Sequence, residues 1–271
     1  MLISFMKAHS GWCSNLVVLG IVGSPRKKGR TNILIDAVLE GAKSTGVEVK
    51  KVYLVDYDVK SFKGLGGPDE AFSYCPGDLS MLCEEAGAIA IGAPVYWGDI
   101  NGLTKNFMDT VKIPYTTGKP ALGIAIAGGS GKGLLSGVQS IYHFFFHKQM
   151  RGIEPTPVSR FNFEETLEKL KTSGGRLADL SKEMKPFPGE TADDRWPVVL
   201  SHYATLKYLN CDPVDEFVML AEQLIKISEG GKVEKAKAEL DRALALISAG
   251  KRRRAATHAV RAYQMLYFPP Q

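Results

Sequence analysis

The chain has 271 residues, 45% hydrophobic and 23% charged, with a formal net charge of +5. Such a composition fits one large or two modest globular units. No apolar run reaches the roughly 20 residues that span a bilayer, and so mild a positive charge favours anionic ligands without arguing for nucleic acid. The four cysteines, Cys13, Cys75, Cys83 and Cys211, form no Cys-x-x-Cys pair, which excludes a disulfide scaffold and a closed zinc site as the organising feature.

Met1 to Asn15 has a short apolar start but no charged segment followed by a long apolar one. The expectation is therefore a chain without a signal segment, in the cytoplasm, with Met6 an alternative start. Leu16 to Val22 is an apolar run that reads as a strand, and Ile33 to Lys43 as an amphipathic helix. Between them, Gly23 to Asn32 presents the hydroxyls of Ser24 and Thr31, the Asn32 amide, the Arg26 guanidinium, and Gly23 and Gly29. A strand–loop–helix of this kind gathers free amides and the positive end of a helix dipole at one point, which suits a phosphate. Its glycines allow close approach of backbone.

Val47 to Val55 reads as a second strand, alternating Val47, Val49, Val52 and Leu54 with a slip at Lys50–Lys51. Val59 to Gly77 breaks the pattern as a long glycine- and proline-containing insertion, of the kind that is often functional. Asp78 to Glu85 reads as a helix, Gly87 to Gly92 as an uncharged third strand, Asn101 to Val111 as a helix, Ala121 to Ala127 as a fourth strand, and Leu134 to Phe146 as a helix. A fifth strand falls near Gly152 to Val158 despite Pro155 and Pro157. Apolar strands alternating with helices predict a parallel sheet covered on both faces, with right-handed crossovers. Ligands of such sheets sit at the carboxyl ends of the strands. That rule selects Gly23–Asn32, Ala93–Gly102 and Ala127–Gly133.

Ala93-Pro94-Val95-Tyr96-Trp97-Gly98 carries two flat apolar rings, suited either to stacking on a conjugated ring system or to an interface. Gly128-Gly129-Ser130-Gly131-Lys132-Gly133 invites comparison with a P-loop but fails it. Ile126 stands where the first glycine belongs, and Gly133 where a hydroxyl should bind magnesium. It reads as a third wall giving backbone contacts to a sugar-like chain, or as a glycine turn with no ligand.

After Phe161 the composition turns helical. The stretches are Phe163 to Lys171, Leu177 to Met184, Pro197 to Leu209, a helix starting at Asp212-Pro213, a stripe from Val233 to Ile247, and Ala255 to Leu266. The last two read as a hairpin, and all the stripes as core packing. The chain thus divides into residues 1–160 and a helical region, 161–271. Lys251 to Arg254 reads as the solvated start of a helix rather than a nucleic-acid contact. His143 and His147 lack a third ligand, so no metal site is named.

Gly23-Ser24-Pro25-Arg26 with Gly29 and Thr31, then Ala93 to Gly98, then Lys105-x-Phe107-x-Asp109 resemble the NADPH-dependent FMN reductase and iron–sulfur flavoprotein group of flavodoxin-like proteins, over roughly residues 16 to 150. The resemblance implies an α/β fold, a flavodoxin-like doubly wound five-stranded parallel sheet in the order 2-1-3-4-5, here with the helical extension. It also implies FMN as cofactor, NADPH or NADH as donor to an unknown acceptor, and a homodimer or homotetramer, with no part for membrane or nucleic acid. Carried onto this chain, Ser24, Arg26, Gly29, Thr31 and Asn32 hold the phosphate. Pro94, Val95, Tyr96, Trp97 and Gly98 line the isoalloxazine, and Gly128, Gly129 and Ser130 close the ribityl side. No general acid or base is named, because the cofactor carries the chemistry. The four cluster cysteines of iron–sulfur members would fall on Ser61, Gly64, Gly67 and Cys75, so no iron–sulfur cluster is expected. The leading expectation is an FMN-dependent oxidoreductase fed by NAD(P)H. The alternatives are an electron carrier that uses no nicotinamide, and a non-catalytic binding or regulatory protein.

Overall fold

The computed structural model describes residues 16–64, 72–113 and 117–268. The reading of Met1 to Asn15 and the middle of the Val59–Gly77 insertion, Gly67 included, lie outside the described residues.

Strand β1 (Val17–Val22) lies between β2 (Glu48–Tyr53) and β3 (Ala88–Tyr96). β3 also pairs with a two-residue return strand, β4 (Asp99–Ile100), and with β5 (Pro120–Ala127), which pairs with β6 (Arg151–Ser159). The order is β2-β1-β3-β5-β6, parallel throughout. This is the five-stranded order expected, with the β4 hairpin set aside. Successive residues of a strand point to opposite faces. Leu19, Ile21, Ile89 and Ile91 therefore enter one core, and Val18, Val22, Ala88 and Ala90 the other. Burial of both faces explains why β3 and β5 are uncharged.

One face carries α1 (Arg30–Ser44) and α5 (Phe163–Glu183). The other carries α2 (Gly77–Glu85), α3 (Gly102–Thr110) and α4 (Leu134–His147). Helix α6 (Ala192–Ala204) joins the second face, with Phe146 of α4 against the rings of Trp196 and Tyr203. Beyond it, α7 (Pro213–Ile227), α8 (Gly231–Ser248) and α9 (Arg252–Leu266) form a third core with Ala127, Leu134, Leu135 and Phe161. No helix among the described residues is long and apolar enough to cross a membrane.

Several elements differ from the sequence expectation. β2 pairs with β1 without interruption from Val17↔Glu48 to Val22↔Tyr53, so there is no slip at Lys50–Lys51. An edge strand tolerates charge, and Lys51 turns onto Asp36 at 2.5 Å. β6 keeps Pro155 and Pro157 because it is the opposite edge, where the missing donors are not needed. The two stretches expected within 163–184 form one helix, Phe163–Glu183. Helix α6 starts at Ala192, five residues before Pro197, because Thr191 and Asp194 form a capping box, and it ends at Ala204 rather than Leu209. The run Lys251 to Arg254 is the start of α9, with Lys251, Arg253 and Arg254 exposed as expected, but Arg252 is half-buried and engaged. Its guanidinium holds Asp212 and Asp215, each at 2.7 Å, and straps α9 to the start of α7.

Gly174 explains why α5 continues through Ser173-Gly174-Gly175. A Cβ on Gly174 would lie 2.0 Å from the Val38 carbonyl oxygen, and one on Gly41 would lie 1.8 Å from that of Lys171. Helices α1 and α5 cross backbone to backbone at these two glycines. Helix α5 therefore shares its core with α1 and the sheet, although it falls on the helical side of the division at residue 160.

Gly174→Ala is expected to cost about 1–3 kcal/mol by overpacking. Gly175→Ala, whose Cβ would meet nothing closer than 3.6 Å, should stabilise by about 0.5–1 kcal/mol through helix propensity. Urea unfolding of the two variants checks this. Equal effects would refute the backbone crossing.

Candidate functional site

The loop after β1 is shaped by what lies beneath it. The Gly23 amide donates to the Gly92 carbonyl at 2.8 Å, and the Gly23 carbonyl accepts from Asn101 Nδ2 at 2.8 Å. Thr104 Oγ1 donates to Asn101 Oδ1 at 2.7 Å and lies 3.3 Å from the same carbonyl. Asn101 and Thr104 are both buried. A Cβ on Gly23 would sit 1.9 Å from Thr104 Oγ1, so only glycine fits. The chain then turns on itself. Ser24 Oγ accepts from the Arg26 amide at 3.1 Å, and the Gly29 amide donates to the Arg26 carbonyl at 3.0 Å.

Helix α1 opens at Gly29 with no side chain capping it and no acidic residue in its first turn. The Ser24 and Thr31 hydroxyls are buried beside that opening, and Arg26 is exposed with no ion pair among the described residues. Lys27 is engaged, paired with Asp56 at 2.5 Å. Asn32 is turned away. Its Oδ1 accepts from Lys51 and from the Tyr53 hydroxyl, both at 2.9 Å, and its Nδ2 donates to Asp36 at 2.9 Å. Burial pulls the Lys51 ammonium down, but hydrogen bonding to Asp36 and Tyr53 outweighs it and holds the pKa above its usual value.

The second loop is a tight hairpin. β3 runs through Pro94 to Tyr96, Trp97 and Gly98 take φ of 54° and 93°, and β4 returns with Tyr96 opposite Asp99. Positive φ at both central residues is the turn that matches strand twist. It leaves Trp97 wholly exposed and Tyr96 half exposed. Two serines of α4 pin the tip, Ser136 to the Gly98 carbonyl and Ser140 to Asp99 Oδ2 at 3.0 Å.

In the third loop, Gly128 and Gly129 are exposed, with open space where a Cβ would point. Gly131 and Gly133 have φ of 83° and 86°. A Cβ on Gly133 would lie 2.4 Å from Gly98 Cα, so the second and third loops touch through bare backbone. The start of α4 is filled from elsewhere. The buried carboxylate of Glu216, on α7, accepts from the Gly133 amide at 2.8 Å and the Leu135 amide at 3.0 Å. The Tyr263 hydroxyl of α9 donates to the Ser130 carbonyl at 2.9 Å.

The fold thus brings the three loops to one rim. Of the expected site side chains, Asn32 is engaged elsewhere, and Val95 packs inward against Gly133 and Gly137 of the third loop and α4 rather than facing the rim, with Pro94 buried beside it in the strand. Asn101, Thr104, Glu216 and Tyr263 escape a sequence reading. Asn101 precedes a helix and looks like an ordinary cap, and Glu216 looks like a first-turn acid of its own helix. Among the described residues no three His, Cys, Asp or Glu side chains gather as a metal site. Cys75 and Cys83 are buried; burial raises the Cys75 thiol and pushes Cys83 up to about 12. With Ser61 and Gly64 beside Cys75 in that loop, the residues present do not fit a four-thiolate cluster.

A doubly wound parallel sheet whose rim loops meet at the β1/β3 switch point defines the flavodoxin-like class. More narrowly, a family model described as NADPH-dependent FMN reductase matches residues 16–159, more than half of the 271 residues, and the chain belongs to that family. An iron–sulfur flavoprotein of Archaeoglobus fulgidus is 35% identical over 95 residues, covering 34% of this chain and 47% of that protein, about half its length. One of Methanocaldococcus jannaschii is 27% identical over 192 residues, covering 62% of this chain and 98% of that protein. A solved structure described as a flavone reductase superposes with a TM-score of 0.51 at 14% identity, covering 62% of this chain and 64% of that one. This last is a likeness of fold alone.

Asn101→Ala removes the shorter of the two contacts to the buried Gly23 carbonyl and the acceptor of the Thr104 hydroxyl, and is expected to cost about 1–3 kcal/mol. Asn106→Ala, which loses only an exposed bond to Ser61, should stay within about 0.5 kcal/mol. Denaturant midpoints at constant slope compare them, and equal midpoints would deny Asn101 its role under the loop.

Proposed function

We propose that the chain is an FMN-binding oxidoreductase that takes hydride from NADH or NADPH. The observation that carries this is the contrast between two helix starts at the rim. Helix α4 is closed by the chain's own Glu216, whereas α1 is left open beside the buried Ser24 and Thr31 and an exposed Arg26 that has no ion pair among the described residues. A dianionic phosphate gains from amides, hydroxyls and a guanidinium together. The α1 start is therefore its seat, and the α4 start is not.

From that seat a mononucleotide extends along the rim between the hairpin and the third loop. Tyr96 and Trp97 offer faces for a conjugated ring, and the free surface of Gly128 and Gly129 lets backbone approach the sugar chain. Ser24, Arg26, Gly29 and Thr31 bind the phosphate in this reading. The Asn32 side chain instead orders the first turn of α1 through Lys51, Asp36 and Tyr53. Bound FMN supplies a carrier for hydride and single electrons, and the chain's part is to hold and orient it. The Tyr96–Trp97 tip is open to solvent, which leaves one ring face reachable by a nicotinamide.

Arg26→Ala is expected to raise the Kd for FMN about tenfold or more, the loss of one charge-assisted contact to phosphate, as read by quenching of flavin emission on titration. Anaerobic mixing of the FMN-loaded protein with NADPH or NADH should bleach the visible flavin band. A band that ignores both nicotinamides but yields to dithionite would make the protein an electron carrier. A chain that takes up no FMN would end the flavin reading.

A further inference from the structure

The helical region after the sheet is clamped onto the back of the third loop. We propose that Glu216 is a positioning residue of the flavin site: it sets the third loop and, through the Gly133–Gly98 contact, the Tyr96–Trp97 hairpin. The proposal rests on the flavin reading above for its ligand.

The start of α7 has no need of Glu216. That helix is already capped by Asp212, whose Oδ1 accepts from the Val214 amide at 2.7 Å and the Asp215 amide at 3.3 Å, with Asp215 reaching back to the Asp212 amide at 2.9 Å. Glu216 crosses to another helix instead. Its two oxygens take the Gly133 and Leu135 amides, and the residue is only 8% exposed. A carboxylate on two amides at a helix start gains both charge-assisted bonds and the helix dipole.

Other contacts tie the third loop, and the helix α4 that follows it, to the same helical region and the segment leading into it. The Tyr263 hydroxyl holds the Ser130 carbonyl, Gln139 Nε2 donates to the Tyr208 and Cys211 carbonyls at 2.8 Å each, and a Cβ on Gly131 would strike Leu220 Cδ2 at 2.5 Å. The loop's back is thus filled while Gly128 and Gly129 face out. Gly133 lies against Gly98, and Ser136, in the first turn of α4, bonds the Gly98 carbonyl. A shift at the start of α4 is carried directly to the turn that holds Trp97.

The test uses the full chain with Glu216→Ala and Glu216→Gln, with and without FMN. In the FMN-free chain, Glu216→Ala should speed amide exchange about tenfold or more at Gly133 and Leu135, and measurably across residues 96–100. In the loaded chain it should weaken FMN binding on the order of tenfold and shift both the visible spectrum and the midpoint potential of the bound flavin. Glu216→Gln, which keeps one acceptor, should fall between. A purely structural role would lower the melting temperature while leaving spectrum and potential unchanged, and that result overturns the proposal. So does unchanged exchange in the hairpin.

If the unaltered chain binds no FMN, the flavin reading fails by itself, and faster exchange in both loops of Glu216→Ala still upholds the clamp. Should Glu216→Ala not fold, Tyr263→Phe removes only the hydroxyl on Ser130 and is held to the same spectral shift. Its absence there counts against the clamp.

Discussion

At the rim of this sheet the backbone comes so close to its neighbours, a buried side chain in one place and bare backbone in another, that no Cβ fits. Gly23 lies under Thr104, and Gly133 lies on Gly98, each too close for a Cβ. These approaches draw three loops from three different strands into one surface. Each strand end alone would splay a turn into solvent. Held together, they form a continuous edge of amides, hydroxyls and flat rings. The buried pair of Asn101 and Thr104 supplies the polar partners that the inward-pointing Gly23 carbonyl would otherwise lack, and a buried carbonyl without a partner is expensive.

The two helix starts at this rim carry the same partial positive charge but have been given different tasks. One is neutralised internally by Glu216 from over eighty residues away in sequence. The other is left without a side-chain cap. An internal carboxylate fills the start of α4, and under the proposed function the start of α1 would be the phosphate seat. The same bonds join the helical carboxyl region to the third loop and the start of α4.

The chain is similar to proteins described as iron–sulfur flavoproteins, but the loop expected to supply a cluster's four thiolates holds one cysteine, Cys75. The chain shares the family's sheet and rim. Of the loop positions that would supply thiolates, Ser61 and Gly64 cannot ligate iron, and Cys75 is packed in the core beside Leu79. Burial holds that thiol protonated, which suits packing rather than ligation.

Periodicity and loop chemistry by themselves determined the parallel sheet and the three loops at its rim, because each depends on neighbours within one strand–loop–helix unit. They misjudged what depends on distant neighbours. The run from Ser173 to Gly175 broke a helix on paper because the glycines' reason, the crossing of α1, lies over a hundred residues away. The ion pairs of Arg252 were not legible because Asp212 and Asp215 reach it only through the fold. Asn32 looked like a phosphate ligand until Lys51 and Tyr53 of the edge strand claimed it. Above all, the tertiary structure alone decided which helix start is open and which is closed. That choice is made by Glu216 across space, and no spacing along the chain encodes a hydrogen bond between segments that meet only when the third core assembles.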